Sequence, residues 1–504
     1  MFYERIIPVV GTTLREKVIG IINPELSMRV IEFLASCGVT RFNISADEAE
    51  INALKIYLKK HNPLENYEIE EFTNNNVDLL IVINKISPDL SNEARGLSPL
   101  LKSELKPIYL FAGFTDDGFY ISLKEPEVSV SPSFEYFNWL DLSNQVAHYA
   151  VALLLEGTFW QQKEIVNFIK ERQIIYFSNK KWPWFPYSDT TLPNPLLQRE
   201  GEKNQFSTGN TISTSQSSVT SHSSLSKTIL IVGCGSLGSV FTGCISPFVS
   251  KLILADHDQV SIYNPVRQEF HFSQVGKNKV IALRENLEAI YSKKHLGIKC
   301  INKNLKQKNI KEFGYLLKKI KPDLVVLATG SHDEYELAEV LWNKKINHIS
   351  MRCYPRAKWF EIIIVLPGIT PCFGCFRGNL YTGPIPTLTP EQQARYNPDY
   401  KPGELEAEPA TKTDSARCAE VASRLAYQIL TTEKENWYSS LIENNHTCLI
   451  LGIRVVKENE NYCYGIALPG QVSAFGINEI NSSLEECLFC KRKFAYGMVE
   501  NERR

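Results

Sequence analysis

Short apolar runs recur along the chain, each followed by a stretch with apolar residues at helical spacing. In the C-terminal half, Thr228 to Val232 is a β-branched run that predicts a buried parallel strand. KLILAD, ending at Asp256, and DLVVLAT, Asp323 to Thr329, predict two more strands. Helical spacing falls over Asn278 to Tyr291 and Asp333 to Asn343. Strands alternating with helices predict a mostly parallel, doubly wound sheet.

The N-terminal half has the same plan in a degraded form. Strands are expected at Val18 to Ile22, Gly38 to Ser45 and Val77 to Asn84, with helices at Met28 to Ser36 and Ala53 to Lys60. VIGIINPELSM lines up on ILIVGCGSLGS, ASCGVTRFNIS on SPFVSKLILAD, and VDLLIVIN on PDLVVLAT. Three matched elements in order read as a duplication. The first copy has lost the glycines of its first turn, with Asn23, Pro24 and Glu25 in their place. Proline and a bulky acid there would obstruct a phosphate.

Between the halves, Glu202 to Lys227 is rich in Ser, Thr, Asn and Gln and has no period. Such a segment buries too little to offset its ordering entropy, which predicts a flexible linker. The division is residues 1–170 for the degenerate lobe, 171–227 for the linker and 228–504 for the intact lobe. The aromatic run KKWPWFPYSD, Lys180 to Asp189, reads either as a docking surface or as a strap on the fold.

Composition narrows the classes. The 504 residues are 43% hydrophobic and 22% charged, the profile of a globular protein with real cores. A net charge of -1 gives no reason to expect nucleic acid or an anionic membrane as partner. No apolar run is long enough to span a bilayer, and Met1 to Gly20 lacks a signal-peptide core, so a cytoplasmic protein is expected. In that setting the 12 cysteines read as thiols, metal ligands or nucleophiles rather than disulfides.

Gly233-Cys234-Gly235-Ser236-Leu237-Gly238 is a G-x-G-x-x-G between strand and helix. Its backbone can approach an anion, and the N-terminus of the helix that follows supplies unpaired N–H groups. Alone this points first to a dinucleotide enzyme. The loop after the second strand changes that reading. DHDQVSIYNPVRQ, Asp256 to Gln268, resembles the adenylating domain shared by ubiquitin-activating enzymes and the ThiF- and MoeB-type adenylyltransferases, whose pattern is roughly D-x-D-x-V-x-x-x-N-x-x-R-Q. Asp256, Asp258, Val260, Asn264, Arg267 and Gln268 occupy every fixed position.

The resemblance implies two Rossmann-like α/β domains, one inactive and one adenylating. It implies ATP with Mg2+, and a ubiquitin-like protein whose C-terminal carboxylate is adenylated. Asp256 would hold the ribose, Asn264 and Arg267 the phosphates, and Lys279 would neutralise the triphosphate. Asp258 and Gln268 complete the nucleotide set. The family's magnesium-binding Asp after the third strand is replaced by Thr329-Gly330-Ser331. Asp333, the nearest acid, reads either as the metal ligand or as a helix-start residue. In this family an N-terminal arm sends an arginine into the site of the facing domain. Arg5, in MFYERII, is the candidate, beside the plainer reading of a surface residue. The halves would pair within one chain or between two.

CFGC and CLFC supply Cys372, Cys375, Cys487 and Cys490. Two such knuckles suit structural Zn2+, with redox chemistry as the alternative. Activating enzymes also move the adenylated tail to a cysteine, for hand-over to a conjugating enzyme. Cys418, in TDSARCAEVASRLAYQIL, is the first candidate. A helix starting near Ser415, with Arg417 alongside, would lower its thiol pKa. The other reading of Cys418 is a core residue. Cys353 is a weaker candidate, and Cys234 a space-filler. Neither a separate catalytic-cysteine domain nor a C-terminal ubiquitin-fold domain is evident, which fits a compact enzyme of bacterial type. Some such pathways act in antiviral defence, a role on which the residues are silent. The rival readings are a sulfur-transfer adenylyltransferase and a scaffold with a dead nucleotide site.

Overall fold

The computed structural model describes residues 13–22, 24–62, 65–72, 77–83, 108–115, 118–123, 136–154, 174–178, 186–187, 225–291, 296–305, 309–330, 334–353, 359–377, 412–431, 441, 446–452, 472–475, 486–487 and 489–491. Two eight-stranded sheets are built on one plan. The first lobe contains β1 (Val18–Ile22), β2 (Arg41–Ile44), β3 (Glu68–Glu71), β4 (Leu79–Ile83), β5 (Ile108–Thr115), β6 (Gly118–Ser122), β7 (Ile174–Ser178) and β8 (Pro186–Tyr187). Their order across the sheet is β3-β2-β1-β4-β5-β6-β7-β8. The second lobe contains β9 (Leu225–Val232), β10 (Val249–Ala255), β11 (Gly297–Ile301), β12 (Leu324–Leu327), β13 (His348–Cys353), β14 (Trp359–Val365), β15 (Cys448–Gly452) and β16 (Val472–Phe475). Their order, β11-β10-β9-β12-β13-β14-β15-β16, repeats the first strand for strand. In both, the first five strands of that order are parallel and the last three antiparallel.

Registers fix the correspondence. Ile19 pairs with Leu79 as Ile229 pairs with Leu324, and Val18 pairs with Arg41 as Thr228 pairs with Lys251. Val18 therefore matches Thr228, one residue from the match expected of the sequence, and Asp78 matches Asp323 as expected. The apolar runs at β1 and β9 allow either register by pattern alone, so pairing decides. Each lobe carries the same polar brace. The Val18 N–H donates to Asp78 Oδ2 at 2.8 Å and Lys17 Nζ to Asp78 Oδ1 at 2.9 Å. The Thr228 N–H donates to Asp323 Oδ2 at 2.8 Å and Lys227 Nζ to Asp323 Oδ1 at 3.1 Å.

The helices of the first lobe are α1 (Pro24–Ser36), α2 (Glu48–His61) and α3 (Tyr136–Leu154). Those of the second are α4 (Ser236–Ile245), α5 (Lys279–Ile290), α6 (Ile310–Ile320), α7 (Glu334–Asn343), α8 (Phe373–Arg377) and α9 (Lys412–Thr431). Helices α1 and α2 both start earlier than expected. Pro24 is the first residue of α1, a position where its missing N–H costs nothing. A capping box between Asp47 and Glu50 opens α2.

The lobes pack through their helices within the one chain. Helix α9 lies against α4 of its own lobe and against α1 and α3 of the other. One apolar core runs from Leu14 through Phe33, Tyr149 and Phe241 to Ala422 and Leu451, so the two lobes share it. A second cluster lies on the far side of the second sheet, under α6, α7 and α8. The segment expected to be linker holds β7 and β8, which complete the first sheet. Ile174 to Phe177 is an apolar run fit for an antiparallel strand, and Pro186–Tyr187, in the aromatic run, pairs with its far end. The Ser/Thr-rich residues 202–224 lie outside the described residues.

Candidate nucleotide site

The parallel strands of the second sheet end together, and β9 runs into the glycine turn. Gly233 has φ +94°, and a Cβ there would stand 2.6 Å from the Ala328 carbonyl oxygen. A Cβ at Gly238 would stand 1.8 Å from the Gly233 oxygen. These two glycines are required by the turn itself. Gly235 differs. It caps α4 with its backbone, and a Cβ there would meet nothing within 4 Å. Its open side is room for a ligand at a helix N-terminus. Cys234 is buried, and burial followed by the nearby Asp256 charge pushes its thiol up, as suits a space-filler.

A run of hydrogen bonds ties this turn to the loop after β10. The Cys234 N–H donates to Asp256 Oδ2 at 2.6 Å, and the Asp258 N–H to Asp256 Oδ1 at 2.8 Å. Lys279 Nζ donates to Asp258 Oδ2 at 2.8 Å, and its N–H to the Asp258 carbonyl at 2.9 Å. Glycine turn, strand end and helix start thus form one constellation containing Gly233, Gly235, Ser236, Gly238, Asp256, Asp258 and Lys279. Lys279 is the first residue of α5 and is buried there.

Residues 259–278 have no long element to hold them and fold on their own polar groups. Asn264 Oδ1 accepts from the Ser261 N–H at 2.8 Å, and the Asn264 carbonyl accepts from the Arg267 and Gln268 N–H groups. Asn264, Arg267 and Gln268 are all at most 5% exposed. Gln268 Oε1 has no hydrogen-bond partner among the described residues. Just after them the Glu269 N–H donates to Ser239 Oγ on α4 at 3.1 Å, returning the loop to the helix beyond the glycine turn.

Other expected site residues fall elsewhere. Arg5, Ser331 and Asp333 lie outside the described residues. Thr329 and Gly330 come just after β12, and no acid of that step is among the described residues. Cys418 requires a correction. Helix α9 begins at Lys412, not near Ser415, so Cys418 lies in its second turn and away from the exposed N–H groups. Its side chain is fully buried in the shared core. Burial, then the Cys353 and Glu361 charges, push its thiol up rather than down. Arg417 does not offset this, because neighbours on a helix point about 100° apart. Of the other cysteines, Cys353, at the end of β13, is half-buried.

Cys372, Cys375, Cys487 and Cys490 converge beside the second cluster. Cys372 Sγ lies 3.4 Å from Cys487 Sγ and 3.6 Å from Cys375 Sγ, and Cys375 Sγ lies 3.4 Å from Cys490 Sγ. All four sulfurs fall within 4.8 Å of one another. A tetrahedral ion with thiolates ~2.3 Å away needs sulfurs ~3.8 Å apart, so this group can hold a metal. Tyr335 packs edge-on to Phe489 at 4.4 Å and to Phe373 at 6.3 Å, joining the two knuckles to α7.

Two features escape a reading of the sequence. Arg352 Nη2 donates to the buried Glu334 Oε2 at 3.1 Å, at the meeting of β13 and α7. The alternation His348, Ser350, Arg352 on a buried strand was the available signal. The second is a group of charges between the lobes, formed by Arg29, Glu32, Glu269 and Lys412. No local pattern announces it, since its paired members Glu32 and Lys412 are 380 residues apart.

Residues 218–461 match the ThiF family. Over 165 residues, 29% of this chain, the sequence is 29% identical to ubiquitin-like modifier-activating enzyme 5 of Dictyostelium discoideum. The matched stretch spans 40% of that relative. Among solved structures, E. coli MccB with ATP aligns at TM-score 0.38 and 13% identity, over 76% of this chain and 97% of that one. E. coli MccB with MccA-N7isoASN aligns at 0.36 and 14%, over 50% and 64%. PaaA aligns at 0.36 and 16%, over 50% and 73%. The glycine turn, the D-x-D strand end and the N-x-x-R-Q loop all lie within the stretch of the second lobe that matches the ThiF family.

Proposed function

We propose that the second lobe uses ATP to adenylate the C-terminal carboxylate of a ubiquitin-like protein. The observation that carries this is the constellation of glycine turn, Asp256, Asp258 and Lys279, with Asn264, Arg267 and Gln268 on the adjoining loop. Gly235 leaves space for phosphate against the start of α4. Each Asp256 oxygen accepts one backbone N–H and keeps lone pairs for the ribose hydroxyls. Lys279 Nζ uses one of three donors on Asp258, leaving two for phosphate oxygens. A substrate carboxylate oxygen bonds to the α-phosphorus, the bond from that phosphorus to the bridging oxygen breaks, and pyrophosphate leaves with the electron pair. Arg267 and Lys279 stabilise the charge that builds on the phosphoryl oxygens. Magnesium would supply further neutralisation of the phosphates. Asp258 and Asp333 are the residues to hold it, and Asp256, His257 and Asp258 can bring three ligand atoms within 4.8 Å of one another. Arg5 is the candidate arginine from the first lobe. The four-cysteine group is a structural zinc site, closed to catalysis because all four positions are filled by protein.

A thioester step and transfer to a conjugating enzyme remain part of this reading. The burial of Cys418 favours a second one, in which the chain stops at the acyl adenylate and a nucleophile of another molecule takes the acyl group. Pyrophosphate exchange with candidate ubiquitin-like proteins tests the first step. Exchange in the wild type that is lost in Arg267→Ala supports adenylation. No nucleotide binding at all would leave a scaffold. A non-reducing gel with Cys353→Ser and Cys418→Ala separates the two endings. A thiol-sensitive band lost in either variant would put the thioester on that residue, and exchange without any band supports the second reading.

A further inference from the structure

The charge group between the lobes touches the nucleotide loop at one residue. Glu269 comes directly after Arg267 and Gln268. Its carboxylate is shared between two distant segments. Arg29 Nη2, on α1 of the first lobe, donates to Oε1 at 2.8 Å. Lys412 Nζ, the first residue of α9, donates to Oε2 at 3.1 Å. Glu32 closes the ring, accepting from Arg29 Nη1 at 2.8 Å, from Lys412, and from Tyr57 OH at 3.2 Å. Two cations and two anions make the group neutral, and its members are buried or nearly so. The backbone of Glu269 is fixed as well. Its N–H meets Ser239 and its carbonyl accepts from Asn286 Nδ2 at 2.8 Å.

An apolar contact would join two lobes at less cost than four buried charges. Lys412 is placed against the field of its own helix, since a cation is unfavourable at a helix N-terminus. Among the described residues, the carboxylates of Glu32 and Glu269 are its ion-pair partners there. The first lobe meets this loop at a further point, with α2 packed on the 3-10 turn Phe272–Gln274. Neutrality would be served by any placement of the four charges. What is particular here is that one of them adjoins the residues assigned to phosphate.

We propose that Glu269 is a positioning residue, through which Arg29 of the first lobe and Lys412 of α9 hold Arg267 and Gln268 in place for the nucleotide. This rests on the reading of the second lobe as an ATP site. It gives the first lobe a role in the chemistry of the second that does not depend on Arg5.

The test is MgATP binding to the intact chain by calorimetry, with thermal melts alongside. Glu269→Gln and Arg29→Gln should each weaken ATP by ~10-fold, within the range usual for coupling between sites. Glu269→Asp, which keeps the charge, should recover part of the loss. Lys17→Gln, which breaks a first-lobe ion pair remote from the loop, should leave affinity unchanged. The double variant Glu269→Gln with Lys412→Met restores neutrality, and its melting temperature should recover while its ATP affinity stays low. Recovery of both together would show a purely structural group and overturn the proposal, as would wild-type affinity in Glu269→Gln and Arg29→Gln. If the wild type itself binds no ATP, the nucleotide reading is what fails.

Discussion

The two lobes share strand order, register and the aspartate brace under the first strand, and differ in the connections that leave their first two strands. After β9 comes a glycine turn and then α4, whereas after β1 the helix starts at Pro24, leaving only Asn23 between. After β10 come residues 256–278 with the D-x-D and N-x-x-R-Q motifs. After β2 three residues, Ser45 to Asp47, lead straight into α2. By register Ala46 stands where the second lobe has Asp256. The features both lobes keep are those that fold the sheet, and the features the first has lost are those that would touch a nucleotide. Scaffold and site are separable in this fold because the site is made of connections, not of strands.

The sharpest way to break the comparison is to remove the turn. In Gly238→Ala the new Cβ must displace the Gly233 carbonyl, a backbone atom. ATP affinity should fall by on the order of 100-fold or more, with stability lower by roughly 1–3 kcal/mol. In Gly20→Ala the added Cβ would meet Leu80 and Phe72 side-chain atoms at 2.7 and 2.9 Å. That should cost a similar stability with ATP affinity unchanged. Calorimetry and melts on the two variants decide it. Equal loss of affinity in both would show that the first lobe's sheet is part of the site.

The cysteine quartet, set against α7 and α8 of the second lobe, sharpens it next. We expect one zinc per chain by elemental analysis. Chelation, or Cys372→Ser, should lower the melting temperature by several degrees, because binding energy at such a site is folding energy. A chain that purifies without zinc and melts unchanged with chelator would remove the site.

Acid should act on the second lobe through His348. Its imidazole is fully buried, burial pushes its pKa down to about 4, and Nδ1 lies 3.0 Å from the Ile346 carbonyl. By register Tyr109 stands at this point in the first lobe. The folded state holds His348 neutral while the unfolded chain takes up a proton near pH 6.5. The stabilising share is therefore whole above about pH 6.5 and is lost as pH falls toward 4, at most ~3 kcal/mol. Melts from pH 7.5 to 4.5 should fall less steeply in His348→Leu. An unchanged slope would assign the acid sensitivity to other groups.

Legibility in the sequence tracks range. The glycine turn, Asp256 and the N-x-x-R-Q loop are local; spacing marked the turn, and resemblance to a family pattern marked the loop. The four cysteines were legible despite their separation, because each knuckle is a local signal and two imply a partner. The end of the first lobe at β7 and β8 was obscured by the low-complexity stretch just beyond them. The ring of Arg29, Glu32, Glu269 and Lys412 was invisible, since each member read alone is an ordinary helix or loop charge. Register of β1 was one residue off because a continuous apolar run carries no phase.

Cys418 carries the smallest expected effect and tests the boundary between core and site. Its local sequence allows two readings, and helix position separates them. A start at Ser415 would have put the thiol in the first turn, where free N–H groups stabilise a thiolate. The observed start at Lys412 moves it one turn inward, onto the face of α9 that packs in the shared core. Cys418→Ala should then cost about 1 kcal/mol of stability, as the loss of one small buried side chain. Pyrophosphate exchange and any thiol-sensitive band should stay within about twofold of the wild type, since no reacting group is removed. Cys418→Ser should be worse for stability than alanine, because a hydroxyl there needs a partner that an apolar core does not offer. If instead the alanine variant keeps exchange and loses the band, α9 must open during the reaction and the first reading of Cys418 is restored.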